Sequence, residues 1–131
     1  MSVAAERVIS LLAELTRLLS DFAAELGRES SVRSSTAAVT PRTYGTRDRV
    51  ECYVDAELAS GHAVGCWLEF RFEDGSWIVE SSIRVNGDEG EDELLGLPTR
   101  YAVDDEELVA EVRGAAVALI GAVRQLDFSE L

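Results

Sequence analysis

Residues 49–86 alternate apolar and polar side chains with a period of two. That pattern demands antiparallel strands in a sheet with one dry and one wet face. Val50, Cys52, Val54, Ala56 and Leu58 alternate with Glu51, Tyr53, Asp55 and Glu57. Val64, Cys66, Leu68, Phe70 and Phe72 alternate with Gly65, Trp67, Glu69 and Arg71. Trp77, Val79, Ile83 and Val85 alternate with Ile78, Glu80, Ser82 and Arg84. Asp74-Gly75 is a strong two-residue hairpin signal. Pairing Glu73 with Ser76 sets Phe72 against Trp77, Phe70 against Val79 and Cys66 against Ile83, with Ser81 the only polar residue on the dry side. For the first hairpin, a three-residue loop Ser60-Gly61-His62 sets Leu58 opposite Val64 and Val54 opposite Leu68. A two-residue loop at Gly61-His62 would put Val54 opposite Glu69, and a slip of one residue flips every side chain to the other face.

Helical patterns flank this block. Val8, Leu11, Leu12, Leu15, Leu18, Leu19, Phe22 and Leu26 form one apolar stripe at helical spacing, predicting a helix over about residues 3–26. Ser2 is its expected N-cap and Gly27 its expected left-handed C-cap. A second helix starts at Asp104, the expected N-cap, with Glu107 as capping-box partner and Val103 poised to staple to Leu108. It runs to about Gln125. Its main stripe is Leu108, Val112, Leu119, Val123 and Leu126, widened by Val109, Ala116 and Ile120. Gly114, Val117, Ala118 and Gly121 make a smooth strip on the far side. Glycine inside a helix costs roughly 1 kcal/mol relative to alanine, so the strip calls for an offsetting contact. Helix one is the simpler candidate. A homodimer or partner interface through the C-terminal helix is the other.

The connection 28–49 is rich in Ser, Thr and Arg, with five arginines against two acids. Pro41 suits an edge strand within Ala37–Thr46. After Asn86-Gly87 comes an acidic run, Asp88, Glu89, Glu91, Asp92 and Glu93, read as a solvated loop because it lacks the alternating oxygen ligands of an EF-hand. Leu94, Leu95 and Leu97 follow before Pro98.

The size, 131 residues, suits a single domain. With 25 acidic and 12 basic residues the net charge is -13. That balance argues against a phosphate backbone or an anionic membrane surface as partner. It suits a basic partner protein, and also plain solubility. No run approaches the roughly 18 apolar residues of a membrane span. Glu6, Glu14, Asp21 and Glu25 in the first helix do not read as a secretory signal, so a cytoplasmic location is expected.

Little in the chain points to catalysis. Cys52 and Cys66 both belong to the dry face, four residues out of step in the expected register. That is roughly 13 Å, beyond the roughly 7 Å Cα separation a disulfide tolerates. Free, inert thiols in a reducing compartment are expected. His62, the single histidine, falls in a hairpin turn. Gly61, Gly65, Gly75 and Gly87 are assigned to turns or strand edges, and no phosphate loop is found. No catalytic residue, metal ligand or cofactor is assigned.

The wet face offers the best contact surface. Tyr53, Asp55, Trp67, Glu69, Arg71, Ile78 and Glu80 combine large aromatics with charge, as binding hot spots do. Cross-strand packing explains the same residues without a partner. A third arrangement folds the basic segment 28–49 over them.

The expected architecture is α+β: an N-terminal helix, a three- or four-stranded antiparallel meander and a C-terminal helix, both helices on one face of the sheet. In composition and element order this profile is similar to that of many bacterial immunity proteins and of the acidic chaperones of secretion systems. The resemblance implies a non-enzymatic module that binds a partner protein through its open sheet face and acidic loops, and it transfers no site residue. The alternative is a small-molecule-binding or enzymatic domain of cystatin-like type, with a pocket between sheet and helices.

Overall fold

The computed structural model describes residues 3–44, 47–87 and 90–131. Its elements are α1 (Val3–Leu26), β1 (Val32–Tyr44), β2 (Arg47–Leu58), β3 (Ala63–Glu73), β4 (Ser76–Gly87), β5 (Gly90–Gly96), β6 (Arg100–Ala102) and α2 (Asp105–Arg124). The strands form an open antiparallel meander in the order β1-β2-β3-β4-β5. Strand β6 takes the part of β4's outer edge that β5 leaves free, pairing Trp77 with Ala102 while β5 pairs Ile83 with Leu95. Both helices cover the same face of the sheet.

The β3–β4 hairpin has the expected register, with Glu73 opposite Ser76 and Cys66 opposite Ile83. Asp74 (φ 53°) and Gly75 (φ 81°) are both left-handed, as a type I′ turn requires. The first hairpin differs from expectation by two residues: Val54 faces Cys66 rather than Leu68, and Ala56 faces Val64. The cause is the loop. Leu58 donates its N–H to His62 O at 2.8 Å, so the loop is Ala59-Ser60-Gly61, and Gly61 (φ 93°) takes the left-handed position a three-residue loop needs. An even shift preserves the faces. It also brings the cysteines closer: Cys52 is two residues from Val54, the partner of Cys66, not four. Both remain free and buried.

The sheet is larger than expected. The edge strand begins at Val32, well before Ala37, and pairs along β2. It therefore extends the sheet instead of folding over its wet face. Gly45 and Thr46 lie outside the described residues. Most of the acidic run is also a strand, β5, fully exposed and paired to β4 on one side; Asp88 and Glu89 lie outside the described residues. A strand with both faces in water carries no alternation, which hid it from pattern reading.

Helix α1 lies over β1 and β2, and α2 over β3, β4 and β6. The helices run parallel: Arg7 pairs with Asp105 at 3.1 Å, Glu14 with Arg113 at 2.6 Å and Glu25 with Arg124 at 2.8 Å. Between them and the sheet lies a continuous apolar layer. Leu11, Leu15, Leu19 and Phe22 of α1 and Leu108, Val112, Leu119 and Val123 of α2 meet Cys52, Val54, Val64, Cys66, Leu68, Phe70, Val79 and Ile83. Phe72, assigned to the dry face, is 55% exposed at the β3–β4 turn, where it packs edge-on against Trp77 at 5.4 Å.

The helix ends follow local chemistry with some departures. Asp104 caps α2 by accepting the Glu107 N–H at 2.8 Å, and the Glu107 carboxylate accepts the Val103 N–H at 3.0 Å. Val103 itself is 72% exposed, so it makes no staple with the buried Leu108. Gly27 is not left-handed. Its role is clearance: a Cβ there would lie 3.1 Å from Ser35 Oγ, which donates to the Ala23 carbonyl. Ser2 lies outside the described residues.

Candidate functional site

The face of the sheet turned away from the helices carries the expected contact residues in ordered rows. Glu51, Glu69 and Glu80 stand directly opposite one another on β2, β3 and β4. The neighbouring row is Arg42, Arg49, Arg71, Ile78 and Tyr101, from β1 to β6. On the other side of the glutamates, Tyr53 faces Trp67, and beyond them Asp55, Gly65 and Arg84 form a further row.

Like charges facing across strands repel. The arginine row resolves this. Arg42 reaches Glu51 at 3.0 Å, Arg49 reaches Glu69 at 2.8 Å, and Arg71 contacts Glu69 at 3.5 Å, Glu73 at 2.8 Å and Glu80 at 3.2 Å. The hydrogen bonds that Arg71 donates to Glu80 and Glu73 raise its pKa further. At the centre Glu69 is only 2% exposed. Burial pushes its carboxyl up, and Arg49 and Arg71 pull it back. Three of the seven expected contact residues, Glu69, Arg71 and Glu80, are thus held in an ion lattice with the sheet's own arginines.

Three others, Tyr53, Asp55 and Trp67, line a hollow. Tyr53 and Trp67 are half-buried and supply its aromatic surface, and Asp55 and Arg84 stand at its sides. Arg84 lies over the Trp67 ring, 5.4 Å from its centroid, and pairs with Glu91 of β5 at 3.0 Å. The floor is Gly65, which belongs to the interior of β3 and not to a turn or edge. Burial raises the Asp55 pKa, and the nearby Glu91 carboxylate raises it more. Arg84 is legible as an outward member of β4 beside Tyr53, Asp55 and Trp67; Glu91 is not, because it falls in the run read as a solvated loop, and Gly65 inside an alternating strand marks the spot as well.

On the far side of α2, Gly114 is filled by Arg100, whose Nη1 would lie 2.5 Å from a Cβ at that position, and Arg100 also reaches Glu111 at 3.4 Å. Val117 is 67% exposed, and nothing lies within 4 Å of a Cβ placed on Gly121. Ala118 is half-buried. Val117 and Gly121 thus face water, while Gly114 meets Arg100 of β6. Toward α1, Arg113 and Arg124 make ion pairs, and Val117 and Ile120 line the groove between the two helices.

Among the described residues no three His, Cys, Asp or Glu side chains gather as a metal-binding group, and no helix is long and apolar enough to cross a membrane. Comparison with protein-family models, curated proteins and solved structures finds no match to this chain.

Proposed function

We propose that this chain is a non-enzymatic protein-binding module of the adaptor, immunity or chaperone kind, and that it engages a basic partner through the sheet face opposite the helices. The observation that carries this reading is the Tyr53–Trp67 pair. Two large aromatics lie side by side, half-exposed and ringed by charge, on a rigid sheet that nothing else in the described structure covers. Such residues dominate binding energy in protein interfaces. The net charge of -13 selects a partner of opposite sign. The space between sheet and helices, where a cystatin-like pocket would lie, is filled by Phe70, Leu68, Leu15 and Leu108, each fully buried.

The test is affinity capture from the native host with wild type and with Trp67→Glu, at low and at high salt. The reading requires a partner that is retained by wild type at low salt, weakened by salt and lost with Trp67→Glu. A partner indifferent to both changes, or none, refutes it.

A further inference from the structure

We infer that the hollow over Gly65 is an anchor site for an arginine side chain of the partner, gripped by the Asp55 carboxylate and the Trp67 and Tyr53 rings. The inference rests on the protein-binding reading and gives that partner its chemistry.

The first observation is Gly65 itself. Glycine in a strand interior gives up side-chain packing and ordering entropy. No left-handed backbone calls for it, because only Gly61, Gly75 and Gly90 have positive φ among the described glycines. What the glycine provides is room. A Cβ on it would stand 3.1 Å from Asp55 Oδ1, so the carboxylate leans over the bare backbone and into the hollow, whose volume is about 540 Å³.

Unmet charge is the second observation. Every other carboxylate of the central rows has a guanidinium: Glu51 has Arg42, Glu69 has Arg49 and Arg71, and Glu80 has Arg71. Asp55 has no ion-pair partner among the described residues. Burial and Glu91 together push its pKa up, which is the response of a carboxylate that lacks a cation.

Third, the site shows which cation fits. Arg84 already stacks on Trp67 at 5.4 Å and pairs with Glu91 at 3.0 Å. Guanidinium planes suit aromatic faces and carboxylate forks better than ammonium groups do. Arg84 satisfies Glu91, not Asp55, so a second guanidinium has both a ring surface and a carboxylate waiting. Like-charge repulsion from Arg84 and Arg42, which both line the hollow, opposes it and favours an extended chain that brings further contacts.

The experiment uses the whole chain, ¹⁵N-labelled, titrated at low salt with blocked Gly-Arg-Gly and with its uncharged citrulline counterpart. The Gly65 amide and the Trp67 indole N–H should shift with the arginine peptide only. Asp55→Asn, an isosteric change at an exposed position, should weaken binding about tenfold, as loss of one charge-assisted contact does. Arg84→Gln should tighten it. Shifts centred on β5 or on the first turn of α2, equal binding of the citrulline peptide, or indifference to Asp55→Asn each overturn the anchor. Native capture separates the two levels. A partner lost with Trp67→Glu but held equally by Asp55→Asn leaves the protein-binding reading standing and removes the arginine anchor. An Asp55-dependent peptide site in a chain whose captured partner ignores Trp67→Glu does the reverse.

Discussion

Replacing Gly121 by alanine should stabilise this protein. Gly121 sits in the last turn of the 20-residue α2, on the side turned away from the sheet. A Cβ there meets nothing within 4 Å, so the substitution adds no clash and removes no contact. What remains is the intrinsic helix preference, about 0.8–1.0 kcal/mol in favour of alanine. An unfolding entropy of about 2.1 cal/mol/K per residue over 131 residues converts that gain into a Tm rise of about 3–4 °C. Gly114→Ala is the control. Its Cβ would lie 2.5 Å from Arg100 Nη1, so the guanidinium must move and its 3.4 Å pairing with Glu111 is disturbed. The rise there should be smaller or absent. Scanning calorimetry at two protein concentrations, with sedimentation of each variant, makes the measurement. A fall in Tm for Gly121→Ala, or a drop in mass, would refute the reasoning: it would mean that a second copy packs its backbone against Gly121. In that case Ala118→Glu should also split the assembly.

The cysteines and the carboxylates supply further tests. Burial pushes both thiols to about 12, so a thiol reagent at pH 8 should leave Cys52 and Cys66 untouched in the native protein and titrate both in urea. Hydrogen bonds from Arg113 and Arg124 hold Glu14 and Glu25 below the usual carboxylate range. A depressed folded pKa contributes stability above the unfolded value of about 4.3 and loses it as pH falls through the folded one. Glu14→Gln and Glu25→Gln should therefore lower the urea midpoint at pH 7, and the difference should close on acidification and shrink in high salt. Asp55, whose pKa is raised, has the opposite sign: its contribution is present below the unfolded value of about 3.9 and is lost as pH rises. Asp55→Asn should match or exceed wild type at pH 7 and lose that advantage in acid. A variant pair that tracks wild type at every pH refutes the assignment.

What the letters disclosed depended on whether an element buries one side. Helix α1 and the strands β2, β3 and β4 each press one face against the core, so their periodicity was visible, and α2 was framed by Asp104. Strand β5 has no buried residue and β6 has three residues, so neither imposes a pattern. The β2–β3 register turned on one glycine, Gly61, and a two-residue error there left every face unchanged and every neighbour wrong. The contact residues Tyr53, Asp55 and Trp67 were legible as outward members of strands. Their division from Glu69, Arg71 and Glu80 was not, because pairing between Glu69 and Arg49 depends on cross-strand neighbours that only three dimensions supply.

The parallel course of the two helices brings like poles together. Each helix start carries a partial positive charge and each finish a partial negative one. Side by side and pointing the same way, α1 and α2 oppose each other at both ends. The residues at those ends answer the conflict. Glu6 stands in the first turn of α1, Asp105, Glu106 and Glu107 in that of α2, and Arg124 closes the last turn of α2 on Glu25. Part of the acidity of this chain is thus spoken for by its own helix pair. The field that an incoming partner meets is correspondingly weaker at the helix starts than along β5, where acids face water on both sides.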